Sequence, residues 1–297
     1  MTKVILTGLG AIGLTYASKL KDKCDLSILI DEKYLAKYSA NKPVFNDVEQ
    51  DFKYILPVEK FDADLIFITT KSLGLPAAVE NIKNFVSEKT RIISLINGIS
   101  SEDIISEAYP QAKVLKSYFI GHSAVREGNK VYQDGIGEIV IEHDNFIENF
   151  FKQSGINYSV PDDINYAMWL KYTFNLFSNQ VSAILNMNFG ELKANKTFID
   201  FAGKIVSEVK QIAELKGIKN LEHLEADTIN SLNRMCDEGK TSMLQDIIAK
   251  RPTEIDIFAG EIIRLGQQYG IKTPCNQVLY DLVKIKEEEN ERSIHTR

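Results

Sequence analysis

The run Gly8-Leu9-Gly10-Ala11-Ile12-Gly13 sets three glycines at the spacing G-x-G-x-x-G. It stands directly after the apolar segment Lys3 to Thr7 and directly before Ala11 to Leu20, whose apolar residues recur at helical spacing. In such a motif the first glycine permits a tight turn, the second lets backbone approach a pyrophosphate lying on helix amides, and the third lets helix pack closely on strand. A plain glycine-rich turn is the competing reading, and the strand-to-helix context favours dinucleotide binding at Gly8, Leu9, Gly10, Ala11, Ile12 and Gly13. Asp31 follows about 20 positions on, at the end of the strand-like segment Leu26 to Ile30. A carboxylate there accepts hydrogen bonds from an adenosine ribose and repels a 2′-phosphate, which leans towards NAD(H). Lys33 and Lys71 blunt that inference. Lys71 follows the segment Asp64 to Thr69, where loops at the carboxyl ends of strands face a cofactor crevice, and a solvated loop lysine is the alternative. Asn97-Gly98 follows Arg91 to Ile96 in the same topological place; its amide could hold nicotinamide or substrate, and Asn-Gly is equally a favoured turn pair.

A second group of polar residues lies in the other half of the chain. Lys171, Asn175, Ser178, Asn179 and Ser182 fall at i, i+4, i+7, i+8 and i+11, one narrow stripe on a helix that is otherwise nearly all apolar from Met168 to Leu185. Such a seam faces either a hydrogen-bonding cleft or a modest strip of solvent. A lysine in it could serve as a general acid, because desolvation lowers its pKa while a nearby carboxylate raises it. Glu254, in Arg251-Pro252-Thr253-Glu254-Ile255-Asp256, is a candidate for that carboxylate. Its position two residues after Pro252 also fits the first turn of a helix for dipole reasons alone.

Positioning these groups requires two kinds of architecture. Apolar strand-like segments alternate with helix-like ones through Lys3 to Ile96, with Ala77 to Val86 read as a helix, and this predicts a parallel sheet covered by helices. From Lys113 to Glu142 turn signals at Glu127-Gly128-Asn129 and Asp134-Gly135 predict antiparallel hairpins extending the sheet edge, with Asp144 to Gln153 as a closing helix. Beyond Pro161 the segments Ile164 to Leu185, Thr197 to Lys216, Leu221 to Cys236 and Pro252 to Tyr269 all read as helices. The expected fold is an α/β Rossmann-type N-terminal domain with a mainly parallel sheet, residues 1–163, plus an all-α C-terminal domain, residues 164–297. The breaker Pro161-Asp162-Asp163 marks the boundary, and the charged tail from Lys284 reads as a solvated helix end.

Composition narrows the classes of function. With 297 residues, 44% hydrophobic and 26% charged, the chain can bury one large or two medium cores. Lys and Arg number 35 against 41 Asp and Glu, so the net charge of -6 disfavours nucleic acid as a partner. No apolar run approaches the roughly 20 residues needed to span a bilayer, so no membrane partner is expected. Val4 to Ser18 superficially resembles a secretory signal, but its ordered glycines speak for a dinucleotide-binding start. Cys24, Cys236 and Cys275 are odd in number and widely spaced, which fits a reducing cytoplasm; neither they nor His122, His143, His223 and His295 show metal-ligand spacing.

Over essentially its whole length the sequence resembles the ketopantoate reductases (2-dehydropantoate 2-reductases). The resemblance rests on Gly8 to Gly13, Asn97-Gly98, Trp169-Leu170-Lys171 with Asn175, Gly190-Glu191-Leu192, Ser242-Met243-Leu244-Gln245-Asp246 and Thr253-Glu254-Ile255-Asp256. It implies a Rossmann domain joined to an all-helical domain with the site in the cleft between them. The implied activity is reduction of ketopantoate to (R)-pantoate with NADPH, on the route to pantothenate and coenzyme A. Lys171 would then be the general acid, and Glu254 would act near the reacting centre and the cofactor. Ser242, Met243, Leu244 and Gln245 would bind substrate with Asn175 and Asn179, Asn97 would touch cofactor and substrate, and Lys71 and Ala124 would line the cofactor site. The resemblance leaves room for a homodimer. Two departures stand out. Phe189 occupies a place where the family often has Asn, unless neighbouring Asn188 substitutes, and Asp31 stands where NADPH-using members commonly carry a basic residue, so NAD(H) is open beside NADP(H). They leave as alternatives a related D-2-hydroxyacid dehydrogenase acting on branched or aromatic 2-oxo acids, or a non-catalytic dinucleotide sensor.

Overall fold

Every residue of the segment Lys3–Thr7 after Lys3 is buried, and its side chains alternate between two cores. Val4 and Leu6 join Leu26, Ile28, Leu65 and Phe67 in one cluster, while Ile5 joins Leu29, Ile66, Ile68 and Ile92 in the other. A strand buried on both faces belongs inside a parallel sheet with helices on each side, and a computed structural model describing residues 1–121 and 123–295 has that arrangement.

The first compact unit runs from Met1 to Ile164. It opens with β1 (Lys3–Thr7), α1 (Ala11–Leu20), β2 (Asp25–Leu29) and α2 (Glu32–Ala40), followed by the short strands β3 (Val44–Phe45), β4 (Val48–Glu49) and β5 (Tyr54–Ile55). Next come β6 (Leu65–Ile68), α3 (Leu75–Asn81), β7 (Arg91–Ser94), α4 (Ser101–Ala108) and β8 (Lys113–Leu115). The unit closes with β9 (Ser117–Ile120), β10 (Ser123–Glu127), β11 (Lys130–Asp134), β12 (Glu138–Ile141), α5 (Asn145–Ser154) and β13 (Tyr158–Ser159). Six strands form the all-parallel sheet β5-β2-β1-β6-β7-β8. Counted within the sheet this is the doubly wound order 3-2-1-4-5-6, whose topological switch falls between β1 and β6. One core gathers Leu14, Tyr16 and Ala17 of α1 with Phe150 and Phe151 of α5; the other gathers Leu75 and Ala78 of α3 with Ile105 of α4.

The hairpins do not extend this sheet. Strands β10 and β11 pair antiparallel across the Gly128 turn and join β3 and β4 in a separate four-stranded sheet, while β9, β12 and β13 make a three-stranded one. Alternation of apolar residues reports that a segment is a strand, and the choice of neighbour is made by distant residues such as Asn46, whose Oδ1 accepts from the Gln133 amide.

The second compact unit, from Asn165 onward, is helical. It contains α6 (Ile164–Leu185), α7 (Phe189–Ala194), α8 (Lys196–Leu215), α9 (Leu224–Asn233), α10 (Ser242–Ile248), α11 (Ala259–Tyr269) and α12 (Pro274–His295). Two expected helices are shorter than their periodicity suggested. Leu221–His223 is a 3-10 turn ahead of α9, and Pro252 opens no helix: the chain makes a 3-10 turn at Ile255–Ile257 and α11 begins only at Ala259. No helix among the described residues is long and apolar enough to cross a membrane. His143 and His223 are exposed beside Glu148 and Glu222, and the reading of His122 and of the His295 side chain as structural or surface groups lies outside the described residues.

Candidate active site

The glycine loop lies at the carboxyl end of β1, beside the switch point. Gly8 adopts φ +98°, a left-handed conformation, and a Cβ there would lie 2.6 Å from the Thr70 amide nitrogen. Gly13 is the tighter case, since a Cβ would meet the Gly8 carbonyl oxygen at 1.9 Å. Gly10 is the N-cap of α1, and neither a capping side chain nor an acidic residue occupies the first turn. The amides of that turn are therefore left for an anionic ligand, and a pyrophosphate fits both the cradle and the charge. Two residues that the sequence reading passed over hold the loop in shape. The Thr69 hydroxyl donates to the carbonyls of Thr7 and Gly8 at 2.9 and 2.8 Å, and Arg126 Nη1 donates to the Leu9 carbonyl at 2.7 Å. Arg126 lies on β10, two positions after the half-buried Ala124, so this hairpin braces the loop.

Asp31 is the N-cap residue of α2, yet its side chain makes no capping hydrogen bond. Its Oδ1 instead accepts from Asn81 Nδ2, at the last turn of α3, at 3.0 Å. Lys71 is exposed at the start of the turn that leads into α3. Asn97 is half-buried, and the following Gly98 takes φ +110°, so the pair makes a tight bend after β7. Under this bend a chain of hydrogen bonds runs from the Ile96 amide to Ser94 Oγ, from Ser94 Oγ to Ser101 Oγ, and from Ser101 Oγ to Glu102 Oε2. Burial is the main cause that pushes the Glu102 carboxyl up to about 7. The sequence carried no signal for this network, because it depends on the turn at Asn97-Gly98 folding Ser101 back over Ser94.

In the second unit the polar seam of α6 divides by use. Ser178 Oγ donates to the Phe174 carbonyl within its own helix, and Ser182 Oγ donates to the Met187 carbonyl. Lys171 and Asn175, both half-buried, and Asn179, buried, remain at i, i+4 and i+8 on one face. The Asn179 Nδ2 donor is buried with no hydrogen-bond partner, which costs about 1–3 kcal/mol unless a ligand accepts from it.

Both carboxyl-side motifs are tied to this helix. Thr241 caps α10 by accepting from the Leu244 amide, and its hydroxyl donates to Ser182 Oγ at 3.0 Å. Tyr172 OH donates to the Phe258 carbonyl at 2.7 Å, just past the turn that follows Glu254. The two anchors on α6 lie about 15 Å apart along the axis at 1.5 Å per residue. Ser242 is exposed and Gln245 half-buried, with Gln245 Nε2 donating to the Lys240 carbonyl. Met243 and Leu244, by contrast, are core side chains at 2% and 1% exposure. Glu254 is half-buried between two tied amides: that of Thr253 donates to Glu287 Oε1 at 2.6 Å and that of Ile255 to Thr253 Oγ1 at 3.3 Å. The helix-dipole account of Glu254 therefore has no helix of its own to act on.

Phe189 is buried and stacks on Phe174, ring centroids 6.2 Å apart. The neighbouring Asn188 is half-buried, and its Oδ1 accepts from the Glu191 amide in a capping box that opens α7, which leaves its Nδ2 as the side-chain donor. Among the described residues no group of three His, Cys, Asp or Glu side chains could hold a metal ion.

Comparison with known proteins adds independent findings. Residues 4–145 match the family model described as "Ketopantoate reductase PanE/ApbA", and residues 163–287 match its C-terminal counterpart. The chain is 25% identical over 301 residues to a 2-dehydropantoate 2-reductase of Streptococcus pyogenes serotype M3, covering 96% of this chain and 97% of that protein. It is 26% identical, at the same coverage, to a 2-dehydropantoate 2-reductase of Aquifex aeolicus. Among solved structures, a D-mandelate dehydrogenase in a ternary structure with NADH and anilino(oxo)acetate superimposes with a TM-score of 0.85 at 25% identity, covering 98% of this chain and all of that one.

Proposed function

Because the chain belongs to the ketopantoate reductase family, we propose that it is an NAD(P)H-dependent 2-dehydropantoate 2-reductase, reducing ketopantoate to (R)-pantoate in the cytoplasm. The observation that carries this reading is the seam of α6, where Lys171, Asn175 and the unpartnered donor of Asn179 share one face on a helix that also anchors the segments bearing Ser242 and Glu254. In this reading residues 1–163 form the dinucleotide-binding domain, with Gly8 to Gly13, Asp31, Lys71, Asn97 and Ala124 around the cofactor. Residues 164–297 bind substrate and carry the proton chemistry.

The dinucleotide, when bound, supplies the hydride. Lys171 holds a proton against the substrate's carbonyl oxygen and releases it as negative charge builds there, a general-acid contribution of typically 10²–10⁴-fold. Ser242 donates to the substrate carboxylate, and the Asn175 and Asn179 amides hold its remaining polar groups. Glu254, fixed between the tied amides of Thr253 and Ile255, accepts a hydrogen bond near the reacting centre. Met243 and Leu244 contribute by packing: their buried side chains set the position of Ser242 and Gln245. Steady-state kinetics of Lys171→Ala test the assignment. The expected result is a fall in kcat of at least about a hundredfold with the dinucleotide Kd little changed. A fall smaller than about tenfold removes Lys171 from the proton-donor role.

A second reading, a D-2-hydroxyacid dehydrogenase on branched or aromatic 2-oxo acids, is favoured by Phe189. Its ring lies where the family often has an amide, and the Oδ1 of the neighbouring Asn188 is used in its own helix cap. The likeness to D-mandelate dehydrogenase supports the same reading.

A further inference from the structure

We propose that Asn81 is a positioning residue that sets the Asp31 carboxylate against the adenosine ribose and so sharpens the preference for NADH over NADPH that an acidic residue in this place confers. The proposal rests on the reading that the first unit binds a nicotinamide dinucleotide. An aspartate at an N-cap ordinarily turns its carboxylate back onto the amides of the first turn. Asp31 occupies the N-cap of α2 and does not do so. Its Oδ1 is held instead by Asn81 Nδ2, 50 residues away and at 3.0 Å. The pair links the segment after β2 with the end of α3, the helix that follows β6. Strands β2 and β6 are the two neighbours of β1, whose carboxyl end carries the glycine loop. The carboxylate is thus held over the crevice side of the sheet rather than spent on α2.

The chemistry of the pair then decides the ligand. Asn81 is neutral, so it orients the Asp31 carboxylate without cancelling its charge, and no cation pairs with Asp31 among the described residues. The neighbouring Lys33 places its ammonium over the Tyr34 ring at 5.0 Å. An ionised carboxylate offers about four lone-pair sites, of which Asn81 takes one, so both oxygens retain room to accept from the vicinal 2′- and 3′-hydroxyls of NADH. The 2′-phosphate of NADPH would bring about -1.5 to -2 charges against the same oxygens. An amide donor also fixes the carboxylate plane, so that a diol is met without a rotamer search. A bond serving only to tie α2 to α3 would stabilise the fold and leave cofactor preference unaffected.

The test is direct titration of the full-length protein with NADH and with NADPH, without substrate and at fixed ionic strength. The wild type is expected to bind NADH at least about tenfold more tightly. Asp31→Asn, isosteric and uncharged, is expected to bring the two Kd values within about threefold. Asn81→Ala is expected to shrink the preference by about three- to tenfold, chiefly through weaker NADH binding. Asn81→Leu, close in size and lacking the donor, gives the same reading should the alanine variant fold poorly. Equal or tighter binding of NADPH by the wild type overturns the selector. An unchanged NADH to NADPH ratio in both Asn81 variants overturns the role of Asn81, and failure of the wild type to bind either dinucleotide overturns the underlying reading of the first unit.

Discussion

Single side chains in this protein do their work through what they are tied to, and Glu102 is a measurable instance. Desolvation in its buried site, with a smaller push in the same direction from the Asp103 charge, raises its carboxyl to about 7 against hydrogen bonds from its own backbone and Ser101 that favour the charged form. In the unfolded chain the group ionises near 4.5. The folded state therefore keeps a proton that the unfolded state releases as pH rises from about 4.5 to about 7. The stability that Glu102 contributes is fully present below pH 4.5 and is lost across that interval, by roughly 3 kcal/mol at 1.36 kcal/mol per unit. Chemical denaturation at pH 5 and pH 8 should show a decline in the wild type that is distinctly smaller in Glu102→Gln. Equal slopes for the two proteins would show that the carboxyl does not titrate in this window. Other residues at this scale were invisible to the sequence for a simple reason. Thr69 reaches back 62 residues to Thr7, Thr241 reaches 59 to Ser182, and Arg126 reaches 117 to Leu9. No local pattern distinguishes them from other polar residues.

At the scale of elements, local pattern was more informative. The bounds Lys3–Thr7, Ala11–Leu20 and Ile164–Leu185 follow from apolar period and from the glycine and proline punctuation around them. Where the pattern misled, as at Pro252 and at the hairpins, the deciding contacts were tertiary: Glu287 holds the Thr253 amide outside any helix, and β3 pairs with β11. The join between β1 and α1 is the least tolerant of these elements. Gly13→Ala sets a Cβ 1.9 Å from the Gly8 carbonyl, a backbone clash that the loop can relieve only by moving. The expected cost is at the upper end of the 1–3 kcal/mol of ordinary overpacking or beyond it, together with weaker dinucleotide binding; a variant with unchanged melting temperature and Kd would contradict the loop's role. Asn188→Ala should cost about 1 kcal/mol through loss of the α7 capping box, read by thermal unfolding. It should leave relative activity on 2-oxo acids unchanged, since its Oδ1 is used for the cap. A marked change in substrate preference would instead restore Asn188 as a substrate-side amide.

For the whole molecule, the sequence conveyed an α/β half and a helical half, because parallel-sheet strands and buried helices differ in length and period. It conveyed the candidate site less evenly: Lys171, Asn175 and Asn179 could be read from one helix's spacing, whereas Asn81 and Glu287 emerge only once α3 and α12 are in place. The central claim is that this chain moves hydride from a reduced nicotinamide dinucleotide to a 2-oxo acid, with ketopantoate as the preferred acceptor. The decisive measurement follows absorbance at 340 nm with purified protein, NADH or NADPH, and a panel of ketopantoate and branched or aromatic 2-oxo acids. The account predicts dinucleotide oxidation with the highest kcat/KM on ketopantoate. A higher kcat/KM on an aromatic or other branched acid would contradict that substrate and point to the Phe189 reading, and dinucleotide binding without oxidation on any acceptor would contradict the catalytic account altogether.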